Sequence, residues 1–239
     1  MSDETASARS FHGRRKGKAL RTAQADRIAR LLPGLRIALP RSGAIDLRSL
    51  FPRAIDRTVL EIGFGGGEHL AARASEYPDT GFIGVEPFVN GMAKLFGRIE
   101  AERLDNIRIY DDDAKLLLSA LPDGSVDLVY LLFPDPWPKR RQRKRRFLDD
   151  RNLQALGRVL RPGGELRFAT DIDDYAGWAL VRVARSPDFA WRPAGPSDWR
   201  RPWPGWPGTR YEAKAAAAGR ASSYLTFSRV PVSSATTAC

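Results

Sequence analysis

The sequence predicts an α/β protein built on a doubly wound, mostly parallel β-sheet, with a basic N-terminal arm ahead of it. From Thr58 onward, short apolar runs alternate with segments of helical periodicity, which is the pattern of right-handed βαβ units. A glycine-rich turn follows the first of these runs and leads into a helix, as in folds that bind a ligand at the carboxyl edge of such a sheet. With 239 residues, of which 43% are hydrophobic, the chain is long enough for one such domain and its core.

The segment before the sheet is basic and rich in turns. Residues 1–21 form the arm, and we expect a short helix over 22–32 that ends at Pro33 and Gly34. Residues 40–52 are expected to be a turn-rich connection. The basic residues clustered in the arm are Arg14, Arg15, Lys16, Lys18 and Arg21.

The sheet and its helices follow in alternation. Strands are predicted over residues 58–62, 81–86, 107–110, 126–133, 165–169 and 224–228. Helices are predicted over residues 68–77, 89–103, a short stretch after Asp113, 148–160 and 171–185. Residues 187–208 contain six prolines and four tryptophans and are expected to form an ordered irregular loop. These elements divide the chain into an arm with its connection (1–52), one domain (53–230) and a frayed tail (231–239).

The composition points to a polyanionic partner. Lysine and arginine number 39 against 28 acidic residues, which gives a net charge of +11. Such a charge favours phosphate-bearing polymers, because each neutralised phosphate releases condensed counterions. One cysteine permits no intramolecular disulfide and, with two histidines, leaves too few ligands for a zinc site. Apolar stretches are too short to cross a bilayer, so we expect a cytoplasmic protein without metal or membrane.

The glycine-rich turn and two later carboxylates predict a cofactor site. In the turn, Gly63 and Gly65 let the backbone approach a ligand too closely for any Cβ. Glu86 ends the next strand, where a carboxylate accepts hydrogen bonds from ribose hydroxyls. Asp113 follows the third strand, where it can bond an adenine amino group. The alternatives are a tight turn without a ligand, an ordinary strand-end carboxylate for Glu86 and a helix N-cap for Asp113.

Glu61 decides between two classes of cofactor. A dinucleotide enzyme uses the helix N-terminus for its pyrophosphate, and a carboxylate beside the turn would repel that charge. An acidic residue before the first glycine resembles motif I of class I methyltransferases, where it lies near the methionine end of the cofactor. The position of Glu61 therefore favours a cationic sulfonium cofactor over a nicotinamide dinucleotide.

An acceptor site is predicted at the end of the apolar fourth strand. Asp135 emerges there between prolines, which restrict its backbone. Seven of the eight residues from Lys139 to Arg146 are basic, which is the electrostatic footprint of a phosphate-binding surface. The alternative for this run is a solvated charge cluster without a partner.

These motifs together resemble the bacterial tRNA (guanine-N7)-methyltransferase family. The most specific motif is Pro134–Lys139 with the arginines that follow it. The supporting motifs are Leu60–Gly67, Ala169–Asp171 and Thr209–Glu212. One departure lies near the end, where Gly219–Arg220 replaces a Gly-His pair often seen in the family and puts the local contacts in doubt.

The resemblance implies a class I methyltransferase, a Rossmann-like fold with seven strands, that uses S-adenosyl-L-methionine. The implied reaction methylates N7 of a guanine in the variable loop of tRNA, in a monomer or homodimer with no obligatory protein partner. The implied catalytic residue is Asp135. The implied cofactor-binding residues are Glu61, Gly63, Gly65, Glu86, Asp113 and Asp135, and the implied substrate-binding residues are Lys139, Asp171, Thr209, Arg210, Tyr211 and Glu212.

Several alternatives remain open at this level. Thr170 or Asp171 can simply cap a helix, and Thr209 with Glu212 fits a capping box. The tryptophans of the 187–208 loop can stack on bases or cover the core, and we favour packing. The arm is either a segment that orders on RNA or a disordered tail. Competing functions are a methyltransferase acting on another nucleobase or a protein side chain, a nicotinamide oxidoreductase, and a noncatalytic RNA-binding module.

Overall fold

The computed structural model describes Gly13 and residues 15–231 and contains one seven-stranded sheet. The strands are β1 (Arg57–Ile62), β2 (Thr80–Val85), β3 (Ile107–Tyr110), β4 (Val126–Leu132), β5 (Leu160–Thr170), β6 (Phe189–Ala190) and β7 (Ser223–Arg229). Their spatial order is β3-β2-β1-β4-β5-β7-β6. The first five pair in parallel, whereas β7 runs antiparallel to both β5 and β6. The predicted α/β, doubly wound and mostly parallel sheet is confirmed.

The strand order reverses between β1 and β4, and this reversal determines where a ligand can bind. From β1 the chain crosses over to β2, which pairs with one edge of β1. The chain later returns and places β4 along the other edge of β1. Loops that leave the carboxyl ends of the two strands diverge there and open a crevice. The glycine-rich turn after β1 and the Asp135 loop after β4 both begin at this point.

Helices cover both faces of the sheet, as the βαβ pattern requires. They are α1 (Thr22–Leu35), α2 (Glu68–Glu76), α3 (Val89–Glu102), α4 (Ala114–Ala120), α5 (Asp150–Val159), α6 (Asp173–Arg185), α7 (Ser197–Arg200) and α8 (Arg210–Ala217). Alternate residues of each strand face opposite layers. Leu60 packs with α4, α5 and α6 in one buried cluster, whereas its neighbour Val59 packs with α2 and α3 in the other.

Helix α1 is longer than the sequence predicts and includes Pro33. A proline removes one backbone hydrogen bond and crowds the preceding turn, which is why the sequence predicts that the helix ends before Pro33. Here the proline lies in the last turn, and Leu35 beyond it packs with Leu32 against the α2–α3 layer. The backbone N–H of Arg36 donates to the carbonyl of Leu32 at 2.8 Å, which completes the turn. The prediction of a stop at residue 32 was therefore wrong because tertiary packing outweighs one lost bond.

Two other boundaries differ from the prediction. Strand β5 begins at Leu160 rather than Glu165, and its register against β4 shifts where Pro162–Gly164 bulges out. Gly163 has a φ of 76°, which a glycine adopts without the strain a side chain would introduce. The 187–208 segment is mostly irregular as predicted, but it also contains β6 and α7. Strand β6 has two residues, too few for a periodic pattern.

The described part of the basic arm lies on the domain. The carbonyl of Arg15 accepts from the Val89 amide at 3.1 Å, and Asn90 bonds the backbone of Gly17 at 2.8 Å and Lys18 at 2.7 Å. These described residues of the arm contact the domain, whereas residues 1–12 and 14 lie outside the described part of the chain. Residues 232–239, most of the predicted frayed tail, lie outside the described part of the chain. Within the described residues, no helix is long and apolar enough to span a membrane, and no group of acidic, histidine or cysteine side chains is arranged to hold a metal.

Candidate active site

A cavity of about 630 Å³ opens at the carboxyl edge of the sheet, where the strand order reverses. Its volume lies in the range of small-molecule sites, roughly 300–1,000 Å³. The loops after β1, β2, β3 and β4 all contribute to its walls. The predicted site residues that line it are Gly63, Gly65, Glu86, Asp113, Asp135 and Tyr211.

The glycine-rich turn is shaped by backbone conformations and by Glu86. Gly63 and Gly65 have φ values of 75° and 56°, in the left-handed region that favours glycine. The Gly65 amide donates to the Glu86 carboxylate at 2.8 Å, so this carboxylate fixes the turn as well as facing the cavity. Helix α3 crosses so close that a Cβ at Gly91 would stand 2.1 Å from the carbonyl oxygen of Gly65.

Replacing Gly91 with alanine is expected to destabilise the protein by about 1–3 kcal/mol and to weaken cofactor binding, because the added methyl group must displace the backbone of the turn. Thermal denaturation and cofactor titration would measure the two effects. Gly97 in the same helix is the matched control, since its Cβ would meet only the Arg27 guanidinium at 3.7 Å. Gly97→Ala is expected to stabilise the helix by about 0.5–1 kcal/mol. Equal behaviour of the two variants would contradict the role of Gly91.

Glu86 carries an unusual proton affinity for a carboxyl group. Burial raises its pKa from 4.5 to about 7, and the nearby Asp135 and Glu61 carboxylates contribute to the increase. Backbone hydrogen bonds from Phe88 and Gly65 act in the opposite direction without cancelling it. A carboxyl group with these neighbours favours a ligand that donates hydrogen bonds or carries positive charge.

Asp113 is the helix N-cap that the sequence offered as one alternative, and it also lies at the cavity. Its carboxylate accepts from the Lys115 amide at 3.0 Å, so Asp113 is the N-cap of α4. The same residue also lines the cavity. The capping hydrogen bond fixes the Asp113 carboxylate in the loop that follows β3. The remaining lone pairs of the carboxylate oxygens are available to a ligand.

Glu61 lies behind the cavity rather than on its wall. Its side chain is buried, and its carboxylate bonds Nδ1 of His69 at 2.6 Å. The His69 ring packs between Tyr130, with a centroid distance of 4.5 Å, and Trp206, at 5.0 Å. His69, eight residues after Glu61 and the second residue of α2, is not among the site residues that the sequence predicts.

The Asp135 loop leaves β4 in a strained conformation. Phe133 and Trp137 both have positive φ, at 48° and 42°, which non-glycine residues rarely adopt. Each such residue costs of order 1 kcal/mol, and strain of this kind accumulates at functional sites. The loop lies between them and exposes Asp135 at the cavity. Prolines on both sides of Asp135 limit its backbone freedom further.

The basic run after this loop is less uniform than the sequence suggests. Lys139 is exposed outside the cavity, and Arg140–Arg145 form a short 3-10 helix that continues from it. The Arg145 guanidinium stands over the Trp137 ring at 5.0 Å. Arg146 borders the cavity but has only 1% of its surface exposed, and all three of its guanidinium nitrogens donate to protein acceptors. The interpretation of the whole run as a phosphate footprint was therefore wrong for Arg146.

The start of α8 folds over the glycine-rich turn. Thr209 and Glu212 form the expected capping box, and the Tyr211 ring lies against Gly65 in the cavity wall. Arg210 pairs with Glu68 at 3.0 Å beside the turn. The Glu212 carboxylate accepts from Trp206 at 2.6 Å and from the Tyr224 hydroxyl. Thr209, Arg210 and Glu212 thus stand next to the cavity and fix Tyr211 without lining it.

Asp171 forms an ion pair in the structure, and the tryptophans pack against the buried clusters. Asp171 does not cap α6, whose N-cap is Ile172, and instead pairs with Arg220 at 2.7 Å. Thr170 accepts from the Ile172 amide at 3.2 Å without being the cap. Arg220 is the residue that departs from the family pattern, so the departure creates a contact to a predicted substrate residue. Among the tryptophans, Trp199 packs against the α4–α6 cluster, while Trp203 and Trp206 pack against the α2–α3 cluster, as the favoured interpretation held.

Known proteins share both the sequence and the fold. Residues 56–225 match a family described as "Putative methyltransferase". A tRNA (guanine-N(7)-)-methyltransferase of Agrobacterium fabrum is 56% identical over 92% of this chain and 94% of its own. One of the same name from Rhizobium meliloti is 54% identical over 95% of this chain and 99% of its own. The chain belongs to this methyltransferase family.

Solved structures agree with the family on the fold. The 16S rRNA methyltransferase KamB superposes with a TM-score of 0.55 at 18% identity, over 80% of this chain and 96% of its own. The [4+2]-cyclase SpnF reaches a TM-score of 0.50 at 17% identity, over 76% and 78% of the two chains. The predicted class I methyltransferase fold is confirmed. Since one of these structures is named as a cyclase, the fold alone does not determine the reaction.

Proposed function

We propose that this protein transfers a methyl group from S-adenosyl-L-methionine to N7 of a guanine in tRNA and produces 7-methylguanosine. The observation that carries the proposal is the single cavity that joins the glycine-rich turn, Glu86 and Asp135, in a chain 56% identical to a tRNA (guanine-N(7)-)-methyltransferase. Such high identity over nearly the whole length makes a different reaction on this scaffold unexpected. By the family resemblance, the modified guanine lies in the variable loop.

The residues around the cavity fit this cofactor. Positive φ at Gly63 and Gly65 leaves backbone where a side chain would fill the space next to a ligand. Glu86 faces the cavity with lone pairs for two ribose hydroxyls, and Asp113 has one for an adenine amino group. Three carboxyl groups, Glu86, Asp113 and Asp135, suit a sulfonium cation better than a pyrophosphate. When bound, the cofactor supplies an electrophilic methyl group.

The protein's contribution is mainly to align the reactants. Guanine N7 has a lone pair at neutral pH, so the site needs no base to create the nucleophile. Tyr211 and the Asp135 loop both form part of the wall against which a base can be held. Good alignment contributes on the order of 7–11 kcal/mol in favourable cases. As N7 becomes bonded to carbon, positive charge spreads over the purine and its N1–H becomes more acidic.

We propose that Asp135 stabilises the positive charge that develops on the purine. Its exposed carboxylate is positioned to accept hydrogen bonds from the N1–H and N2–H edge of guanine, and these bonds strengthen as the purine gains charge. An adenine offers no such pair of donors, which explains the preference for guanine. Asp171 is the second acceptor we propose, because its pair with the exposed Arg220 can exchange for the base. Glu212 acts through Tyr211, since protein donors already occupy its carboxylate.

The RNA backbone is proposed to follow the exposed basic residues beyond the Asp135 loop. Lys139, Arg140, Arg141, Lys144 and Arg145 are all exposed on this side of the cavity. Such contacts position an RNA without reading its sequence, so they place the target guanine and leave its selection to the cavity. We further propose that the protein acts in the cytoplasm without an obligatory protein partner, as a monomer or homodimer. The domain limits that we predict are 53–230.

Incubation with radiolabelled cofactor and an unmodified tRNA transcript, followed by digestion to nucleosides, tests the proposal. We expect the label in 7-methylguanosine. A matched transcript in which the variable-loop guanine is replaced by adenine should lose it. Label in another nucleoside would preserve the cofactor site and refute the acceptor assignment. Absence of label together with absence of cofactor binding would indicate a noncatalytic RNA-binding protein instead.

A further inference from the structure

The last arginine of the basic run is the largest fully buried side chain in the described part of the molecule. Its guanidinium donates from Nε to the carbonyl of Pro136 at 2.8 Å. The two remaining nitrogens donate to the carbonyl of Asp174 at 3.2 Å and to its carboxylate at 2.5 Å. The planar group also stands over the rings of Tyr175, at 4.7 Å, and Trp178, at 5.1 Å. Arg146 thereby joins the Asp135 loop to the first turn of α6.

We propose that Arg146 is a positioning residue that holds Asp135 in its reactive placement. The inference rests on the proposed function of Asp135. Pro136 directly follows Asp135, so the bond from Arg146 fixes the peptide adjacent to the carboxylate. The prolines of this segment have no N–H and cannot tie the loop down through their own amides. A hydrogen bond from a residue outside the loop to a loop carbonyl therefore contributes more to the stability of this loop than it would in a loop without prolines.

Arginine suits this place for a geometric reason. Its planar fork presents donors in several directions at once, which lets one group reach Pro136 and both acceptors of Asp174. Arg143 pairs with the other carboxylate oxygen of Asp174 at 2.9 Å and so orients the acceptor. A lysine at position 146 would keep the charge but lose the simultaneous bonds. The charge is retained in the interior because it has an anion, two carbonyls and two aromatic faces around it.

The same residue has a competing role that the sequence suggests, namely contact with an RNA phosphate. Its side chain has no exposed surface, whereas Arg141 in the same run is exposed. The two roles predict different effects of salt concentration on the affinity for tRNA. A lost phosphate contact lowers the slope of log K for tRNA against log salt by roughly 0.7–1, while a lost loop support leaves this slope unchanged. Arg141→Met is the contrast variant, and we expect it to lower the slope.

The experiment compares Arg146→Ala, Arg146→Lys and Asp174→Asn with the wild-type protein. For Arg146→Ala we expect kcat to fall about 100-fold, as for other losses of alignment, with the KM for tRNA and the salt slope close to wild type. Methylguanidinium at millimolar concentration should restore part of the kcat of Arg146→Ala, whereas Arg146→Lys should remain low. Asp174→Asn removes the carboxylate that pairs with Arg146. Because Asp174 is partly exposed, we expect this variant to fold and to lose less kcat than Arg146→Ala.

Hydrogen exchange of a peptide covering residues 133–139 provides the readout that does not depend on methylation. Faster exchange there in Arg146→Ala or Asp174→Asn, with unchanged exchange in β1 and β2, supports the proposal even if the methylated atom proves to be another. Unchanged exchange together with a lower salt slope would overturn it in favour of a phosphate contact. Uniformly faster exchange throughout the chain, without rescue by methylguanidinium, would overturn it in favour of a purely structural role.

Discussion

Asp135→Asn is expected to lower kcat about 100-fold or more while the Kd for the cofactor changes only a few-fold. The substitution keeps the size and backbone of the side chain but removes the charge that responds to positive charge on the purine. Losing one group that acts on transition-state charge typically costs about 10²–10³ in kcat. We expect the effect on cofactor binding to be small because Asp135 is exposed, and because the proposed cofactor contacts also include Glu86 and the glycine-rich turn.

Single-turnover methylation and equilibrium titration of the cofactor measure the two quantities separately. Asp79→Asn is the matched control, because this aspartate is exposed and precedes β2 at the opposite edge of the sheet. We expect it to behave like the wild type in both assays. Equal losses in kcat and in cofactor affinity for Asp135→Asn would mean that the residue binds the cofactor rather than the base. No loss in either would remove it from the site.

The sequence correctly predicts that four of the proposed cofactor residues lie together, because their positions are encoded locally. Gly63, Gly65, Glu86 and Asp113 each lie within three residues of the end of a strand, and parallel strands bring their carboxyl ends to one edge. Recognition of the strands therefore suffices to place these residues together. The same rule places Asp135, which leaves the neighbouring β4.

What the sequence does not reveal are partners brought in from distant segments. Arg146 looks like one more member of a phosphate-binding run, and only the contact with Asp174, 28 residues away, shows that it is buried. Glu61 carries a motif typical of cofactor binding, yet its carboxylate bonds His69 rather than lining the cavity. Positive φ at Phe133 depends on the surrounding packing, since nothing in the local residue types favours it.

Glu86→Gln is expected to raise the free energy of unfolding of the cofactor-free protein above pH 7 and to weaken cofactor binding. The pKa of Glu86 is about 7 in the folded protein and 4.5 as an unperturbed group. Between these values the folded state binds more protons than the unfolded state, so the free energy of unfolding falls as the pH rises from 4.5 through 7. The total decrease is at most about 3 kcal/mol.

Glutamine abolishes this decrease because it carries no charge at any pH. It also loses one acceptor, since Oε1 and Oε2 both accept backbone bonds, from Phe88 at 3.0 Å and Gly65 at 2.8 Å. One lost bond costs about 1 kcal/mol, which leaves a net gain of about 2 kcal/mol at pH 8. Urea denaturation from about pH 4 to about pH 8, a range that covers the window from 4.5 to 7, measures the difference. Glu102→Gln, at the exposed end of α3, controls for the loss of a carboxylate.

The affinity for the cofactor should rise with pH over the range in which the free energy of unfolding falls. This opposite trend would identify the role of the Glu86 carboxylate. In the wild-type protein, affinity should rise as the pH increases through about 7, because ionised Glu86 accepts from two hydroxyl donors and attracts a cation. Glu86→Gln should lose this rise. Asp135→Asn should shift it to lower pH, since removing the Asp135 charge lowers the pKa of Glu86. A pH-independent affinity in the wild type, or no gain in stability for Glu86→Gln, would show that Glu86 is already ionised and fully compensated. Stability given up at Glu86 in exchange for binding is the pattern expected of a functional residue.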